Sequence, residues 1–239
     1  MPDPRSPSAG PLAVGMVLFP GLTQLDLAGP YEVFARMPGT TVSLVAATRA
    51  PVRSEWGLRI TPDAAFDDAP APDVLCVPGG WGVNAVLEDA ATLAFLRAHA
   101  PKARYVTSVC SGALLLGAAG LLRGYRATTH WMSRDLLPLF GAEPVDARVV
   151  VDRNRITAGG VTSGIDFALT VAAELFGVAR AQAIQLALEY APAPPFDAGS
   201  PGTAPEPVRR AVLHASEPAL AERRAIAARA AATLTGRDE

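Results

Sequence analysis

Cysteine, histidine and net charge are all scarce in this chain, and each scarcity excludes a class of protein. Two cysteines among 239 residues are too few for a disulfide framework, so both are expected to be reduced thiols of a cytoplasmic protein. A net charge of −2 provides no basic field to attract nucleic acid. The three histidines are not spaced with cysteine or carboxylate residues as metal ligands are, so the sequence predicts no metal site.

Long apolar runs are absent as well. No stretch contains 18 uncharged apolar residues, so neither a membrane span nor a membrane partner is predicted. Residues 1–10 are rich in proline and serine but lack the charged and apolar regions of a signal peptide, and we interpret them as a flexible tail. The chain is instead 50% hydrophobic and 18% charged, which is enough apolar material for a large core.

Short apolar runs alternate with helix-length segments along most of the chain. Residues 13–19, 73–77 and 104–109 are typical of strands that are buried on both faces. This alternation predicts an α/β fold with a mostly parallel sheet and helices on both faces. A helix near Thr23 is expected after the first strand, with an interruption at Gly29–Pro30. Binding sites in such sheets form beyond the carboxyl ends of the strands.

Cys110 lies where a predicted strand turns directly into an apolar helix. The small residues Ser111 and Gly112 follow it, as the sharp turn of a nucleophile elbow requires. The positive end of the helix dipole is expected to favour the thiolate over the thiol. Cys76 lies between Leu75 and Val77 in a predicted strand, and we interpret it as inert core packing.

Three side chains are candidate partners for the sulfur of Cys110. Asp26 lies among apolar residues after the first strand, where burial raises the pKa of a carboxyl and lets it exchange a proton. It can equally be a structural helix cap, and Glu32 is an alternative acid. His130 is the best placed of the histidines, although its position also suits the wall of a pocket.

Five motifs occur in the order found in the ThiJ/PfpI superfamily, whose members are related to class I glutamine amidotransferases. The chain resembles that superfamily over about residues 12–192, and within it the isocyanide hydratase branch most closely. The motifs lie at residues 19–34, 77–80, 108–112, 127–131 and 158–166.

The resemblance implies a flavodoxin-like three-layer sandwich, a homodimer and no cofactor. It implies that water and a small isocyanide are converted to an N-substituted formamide through a thioimidate on Cys110, with Asp26 as the acid. The remaining candidates position the substrate or form the pocket wall. Substrate-positioning candidates are Ser111, Gly80, Gly160 and Val161, and pocket-wall candidates are His130 and Trp81.

Two other functions remain open at this stage. One is a glyoxalase-like activity of the same superfamily on small carbonyls, and the other is a non-enzymatic sensor that responds to oxidation of Cys110. The sensor domain of AraC-type regulators shares several motifs, but those regulators continue into a helix-turn-helix domain for which residues 193–239 are expected to be too short. We expect residues 11–192 to form the α/β domain. Residues 193–239 are expected to be a proline-rich loop and a helix packed on that domain or on a dimer partner.

Overall fold

The computed structural model of this protein describes residues 11–235 and contains one large sheet between two layers of helices. The predicted tail at residues 1–10 lies outside the described residues. The strands are β1 (Leu12–Val17), β2 (Thr40–Ala46), β3 (Val52–Arg53), β4 (Arg59–Ile60), β5 (Ala64–Ala65), β6 (Val74–Val77), β7 (Tyr105–Val109), β8 (Arg126–Ala127), β9 (Glu143–Pro144), β10 (Val149–Asp152) and β11 (Arg155–Ala158).

The large sheet has the strand order β10-β11-β7-β6-β1-β2-β5. All neighbouring strands are parallel except β10 and β11, which form an antiparallel hairpin. Every residue of β6 and β7 is buried, which is the reason for their continuous apolar sequences. The predicted flavodoxin-like α/β sandwich is confirmed.

Helices cover both faces of the sheet. The helices are α1 (Gln24–Phe34), α2 (Val83–Val86), α3 (Ala90–His99), α4 (Gly112–Ala118), a 3₁₀ helix (Trp131–Phe140), α5 (Ser163–Phe176), α6 (Val178–Ala187) and α7 (Glu206–Thr235). On one face α5 packs against α1 and α6, and the rings of Phe34 and Phe167 meet edge to face with centroids 5.9 Å apart. On the other face α4 contacts α2, α3, α7 and the 3₁₀ helix.

One local prediction differs from the structure. Helix α1 continues through Pro30 rather than breaking at Gly29–Pro30. Pro30 lacks an N–H and leaves only the carbonyl of Asp26 without its helical partner, and the buried packing of α1 outweighs that loss. The segment Trp131–Phe140 is a 3₁₀ helix that contains Pro138.

The C-terminal helix α7 packs on the α/β sandwich only along its second half. Its buried side chains are Leu220, Arg223, Ile226, Ala227 and Ala230. In its first half Ala211 is exposed and Leu213 is only half-buried. None of the helices in residues 11–235 is both long and apolar enough to cross a membrane.

Candidate active site

The carboxyl ends of β1, β6 and β7 meet at one edge of the sheet, and each is followed by a candidate site residue. The chain leaves β1 toward β2 on one side, whereas β6 lies on the other side of β1, so this edge is a topological switch point. Asp26 follows β1, Gly79 follows β6 and Cys110 follows β7. The N–H of Gly79 donates to Oδ2 of Asp26 at 2.9 Å, which joins the first two segments.

Cys110 forms the predicted elbow between β7 and α4. Its φ is +55°, a left-handed conformation that is uncommon outside glycine and typical of strained functional turns. The surroundings hold this conformation through both backbone groups. The N–H of Cys110 donates to the carbonyls of Ala158 and Gly159 at 3.1 and 2.8 Å, and its own carbonyl accepts from Oγ1 of Thr129 at 2.7 Å.

Two glycines allow the elbow to lie directly against the end of β6. A Cβ on Gly79 would be 2.5 Å from the backbone nitrogen of Ser111, and one on Gly112 would be 2.3 Å from the carbonyl oxygen of Val77. Neither approach is sterically possible for a residue with a side chain. The short contact between the two segments is therefore built into the sequence.

Asp26 is a fully buried acid. Its Oδ2 accepts from Gly79, whereas its Oδ1 is buried without a hydrogen-bond partner among the described residues. The pKa of Asp26 is raised from 3.8 to about 7, chiefly by burial and to a smaller extent by the charge of Glu55, although hydrogen bonds from Gly79 and from the Cys110 thiol oppose the shift. Asp26 can therefore gain or lose a proton near neutral pH, with Oδ1 as the free oxygen.

Glu32, the alternative acid, lies on the outside of the same helix. It is exposed and forms an ion pair with Arg36 one turn later. Its carboxylate therefore does not belong to the site, and Asp26 is the acid that the fold places next to Cys110.

The thiol of Cys110 is not poised as a thiolate, contrary to the expectation from the elbow. Burial raises its pKa well above the ordinary value of 9.0, and the negative charge of Asp26 adds to the shift. The N–H of Ser111 and the charge of Arg223 act in the opposite direction but do not reverse it. Because the pKa of Cys110 lies above that of Asp26, a single proton held by the pair resides on the sulfur, and Asp26 is then a carboxylate.

A cavity of about 240 Å³ opens onto the sulfur. Cys110 is 6% exposed at this cavity, whereas Asp26 lies behind it and is not part of the lining. The predicted residues Ser111, Gly80, Trp81, His130 and Val161 all line this cavity, but Gly160 lines only a neighbouring cavity of about 360 Å³ that shares His130 and Val161. Lining residues that the sequence analysis did not single out are Thr23, Glu55, Trp56, Met132, Ser216 and Arg223.

Ser111 and Gly80 are tied to each other by two hydrogen bonds. The N–H of Gly80 donates to Oγ of Ser111 at 3.0 Å, and that hydroxyl donates to the carbonyl of Gly80 at 3.1 Å. The Gly80 amide thus already has an acceptor within the protein. The N–H of Ser111 instead points at the sulfur of Cys110, where it is available to stabilise charge.

His130 forms part of the pocket wall and is uncharged. Its pKa is lowered to about 4, chiefly by burial and in part by the charge of the nearby Arg223. Its Nδ1 accepts from the N–H of Met132 at 3.4 Å at the start of the 3₁₀ helix. A neutral imidazole with this backbone contact fits the interpretation as a wall residue.

The sequence from residue 13 to residue 174 matches the DJ-1/PfpI family. The chain is a DJ-1/PfpI family protein. It is 56% identical over 223 residues to an isonitrile hydratase of Pseudomonas putida, covering 93% of this chain and 98% of that protein. A solved THiJ/PfpI family protein from Pseudomonas syringae has a TM-score of 0.89 and 48% identity, with 91% of each chain covered.

The chain is also similar to part of a longer transcriptional regulator. The chain is 33% identical over 168 residues to the HTH-type transcriptional regulator GbdR of Pseudomonas aeruginosa, which covers 66% of this chain but only 45% of the regulator. Together these matches confirm the resemblance on which the sequence interpretation rested. The C-terminal helix α7 lies beyond the family match, yet it contributes Ser216 and Arg223 to the cavity.

Proposed function

We propose that this protein is an isocyanide hydratase that forms a thioimidate on Cys110 and uses Asp26 to move the proton. The observation that carries the proposal is the buried pair of Asp26 and Cys110 at a small cavity, in a chain that is 56% identical to an isonitrile hydratase, isonitrile being another word for isocyanide. The chain is accordingly a lyase that adds water to a small molecule.

The terminal carbon of an isocyanide suits this pair because it accepts both a nucleophile and a proton. In the first step the sulfur of Cys110 bonds to that carbon while its proton passes to the carboxylate of Asp26. The protonated Asp26 then returns the same proton to the same carbon. The result is a neutral thioimidate, R–N=CH–S–Cys110, and a carboxylate on Asp26, so the thiol has been added across one carbon atom.

The second step hydrolyses the thioimidate. The carboxylate of Asp26 takes a proton from water as the water oxygen bonds to the carbon, and Asp26 passes this proton to the substrate nitrogen. The new hydroxyl then becomes the carbonyl of the N-substituted formamide as the C–S bond breaks, and Asp26 transfers the hydroxyl proton to the sulfur. One carboxyl group that alternately accepts and donates a proton serves both steps. A pKa of about 7 lets Asp26 do this at neutral pH.

The cavity lining supports the positions assigned to the other site residues. The N–H of Ser111 stabilises negative charge on sulfur, and the mutual bonds of Ser111 and Gly80 fix the floor of the cavity. Trp81, His130 and Val161 form the wall around a small substituent. Gly160 supports the turn before Val161 from the neighbouring cavity. The scheme uses neither a metal nor a cofactor.

The assembly and location in the cell form a further part of the proposal. We assign the protein to the cytoplasm as a homodimer, with residues 11–192 as the α/β domain and residues 193–239 as an added loop and helix. Symmetric dimers are the commonest oligomers of soluble enzymes. Light scattering after gel filtration at micromolar concentration tests the dimer, and elution with the mass of one 24.8 kDa chain contradicts it.

The activity is tested by mixing purified protein with p-nitrophenyl isocyanide and measuring the N-formamide. We expect turnover by the wild-type protein and by Cys76→Ala but none by Cys110→Ala. Turnover that survives Cys110→Ala contradicts the thioimidate route. Methylglyoxal is assayed in parallel, and consumption of methylglyoxal without hydration of isocyanides favours the glyoxalase-like alternative.

A further inference from the structure

Arg223 is a buried cation that the C-terminal helix inserts into the active-site cavity. It is 3% exposed and lies on the same face of α7 as Leu220, Ile226 and Ala227, all of which are buried. A hydrogen bond and an ion pair hold this half of the helix against α2 and the residues that follow α2. Nδ2 of Asn84 donates to the carbonyl of Ala219 at 3.1 Å, and Arg229 forms an ion pair with Glu88 at 2.7 Å.

The guanidinium of Arg223 binds three neutral acceptors from three different segments. Its Nε donates to Oδ1 of Asn84 at 2.8 Å, Nη1 donates to Oγ of Ser133 at 3.2 Å, and Nη2 donates to the carbonyl of Gly80 at 2.9 Å. Its Cζ also lies 4.6 Å from the centre of the Trp81 ring, within the range of a cation–π contact. The fork therefore joins α2, the 3₁₀ helix and the turn after β6.

Burial of the Arg223 guanidinium costs free energy that attachment of the helix alone does not require. A buried cation loses its hydration, and it is ordinarily paired with a carboxylate. No carboxylate in residues 11–235 forms an ion pair with Arg223, whereas the exposed Arg229 on the same helix has Glu88. The charges of Glu55 and Glu222 act on Arg223 without forming an ion pair with it, so the cavity that contains the sulfur holds a positive charge with no direct carboxylate partner among residues 11–235.

We propose that Arg223 is a positioning residue of isocyanide hydration, which holds the Gly80–Ser111 turn under the substrate and offsets negative charge on the sulfur of Cys110. This inference rests on the proposed function and extends it to the segment beyond the family match. Negative charge develops on sulfur when its proton moves to Asp26 and again when the C–S bond breaks. A fixed cation in a dry cavity stabilises that charge without reorganising.

The contact with Gly80 carries the positioning part of the role. The carbonyl of Gly80 accepts from both Arg223 and the hydroxyl of Ser111. Gly80 has a φ of +127° and lies in contact with the chain near Thr23, so the turn has little room to find another arrangement. Loss of the guanidinium leaves this carbonyl with one partner fewer, next to the residue whose N–H faces the sulfur.

The charge effect is tested through the reactivity of the thiol, which requires no isocyanide. The rate of alkylation of Cys110 by iodoacetamide is measured against pH, with peptide mass spectrometry to exclude Cys76. The described titratable or charged groups that face the sulfur or the cavity are Asp26, Glu55, His130 and Arg223.

The two informative variants are Arg223→Gln and Arg223→Lys, with Arg229→Gln as the matched control on the same helix. We expect Arg223→Gln to move the midpoint of the alkylation profile up by about one pH unit, which is a tenfold slower reaction below the midpoint. Arg223→Lys keeps the charge and should restore most of the profile. Arg229→Gln should leave the profile of the wild-type protein unchanged.

Steady-state kinetics with p-nitrophenyl isocyanide test the positioning part. We expect Arg223→Gln to lower kcat about 10- to 100-fold with little change in KM, because the missing charge matters as the sulfur becomes negative. Arg223→Lys should lower kcat several-fold, since an ammonium does not reproduce the fork to Asn84, Ser133 and Gly80. Arg229→Gln should retain the kcat of the wild-type protein.

Several results overturn the inference. One is a folded Arg223→Gln variant with the alkylation profile of the wild-type protein, and another is an Arg223→Lys variant shifted as far as Arg223→Gln, which indicates a purely structural role. If Arg223→Gln does not fold, an unchanged kcat in Arg223→Lys is enough to refute the positioning role. Failure of the proposed function is seen separately, because the wild-type protein then does not hydrate isocyanides.

Discussion

Cys76 and Cys110 are buried to nearly the same extent, yet only the sulfur of Cys110 lies beside both a cavity and an acid. Cys76 lies in the middle of β6 with Met16 and Thr107 on the neighbouring strands, and burial raises the pKa of its thiol to about 12. Burial also raises the pKa of Cys110. Both thiols are therefore uncharged at neutral pH, and the two cysteines differ in their surroundings. Cys110 borders a cavity, and an acid beside it can take its proton.

The comparison shows how a buried thiol can react without first ionising. At an exposed site a lowered pKa provides the thiolate. In the mechanism proposed here the proton leaves sulfur only as the new bond forms, because Asp26 accepts it within the same pocket. Such a site keeps its thiolate population low in the absence of substrate, which also slows oxidation of the sulfur.

The sharpest test of the comparison is to remove each sulfur in turn. We expect Cys110→Ala to lower isocyanide turnover by at least about 10⁴-fold, because the covalent route is lost. Cys76→Ala should retain the kcat of the wild-type protein. Formamide production under saturating p-nitrophenyl isocyanide measures both, and equal losses in the two variants refute the distinction.

Replacement of the acid should separate thiol reactivity from catalysis. We expect Asp26→Asn to lower turnover by about 10²- to 10⁴-fold, since general acid–base assistance is lost. Alkylation of Cys110 at pH 8 should become faster, because the negative charge that raises the thiol pKa is gone. Glu32→Gln on the outer face of α1 is the control and should change neither rate. A parallel fall in turnover and alkylation contradicts the assigned role.

The buried carboxyl of Asp26 should also make stability depend on pH. Its pKa is raised from 3.8 to about 7 in the folded protein, so between these values the native state binds a proton that the unfolded chain has released. The contribution of Asp26 protonation to the free energy of unfolding is therefore fully present below about pH 4. It declines by on the order of 4 kcal/mol as the pH rises to about 7.

Asp26→Asn cannot ionise and should lack this decline. The melting temperatures of both proteins are measured at pH 5 and pH 8. We expect the melting temperature of the variant, relative to that of the wild-type protein, to be higher at pH 8 than at pH 5. Parallel pH dependence of the two proteins argues against a raised pKa at Asp26. Glu32→Gln again serves as the control, since its carboxylate is exposed.

The smallest expected effect is the packing contribution of Cys76. We expect Cys76→Ala to lower the free energy of unfolding by roughly 1–2 kcal/mol, because the lost sulfur leaves a small void between buried strands. Urea unfolding with a fixed m-value measures the change. A variant as stable as the wild-type protein means that the neighbouring side chains close the void.

Much of this arrangement could be predicted from residue order. The apolar runs of β1, β6 and β7 identify strands that are covered on both faces, and the small residues after Cys110 identify the elbow. Asp26 was recognisable as an acid among apolar residues.

Other features were not predictable from local patterns. The helix dipole suggested a thiolate, but the depth of burial decides the state of the sulfur, and burial depends on the whole sandwich. The continuity of α1 through Pro30 depends on its packing against α5. Arg223 carried one signal that was overlooked: it lies three residues from both Leu220 and Ile226, so a charge falls within an apolar helical stripe.

The sequence alone determined which residue types stand at the ends of the strands, because strand period and turn chemistry are local properties. It thereby fixed the elbow at Cys110, the acid at Asp26 and the glycines that allow the segments to touch. The tertiary structure decided which of these groups hold protons, and it brought Arg223 from the distant C-terminal helix to the same cavity. Protonation and electrostatic pairing depend on desolvation and on distances through space, and no local pattern encodes the approach of Arg223 to the cavity.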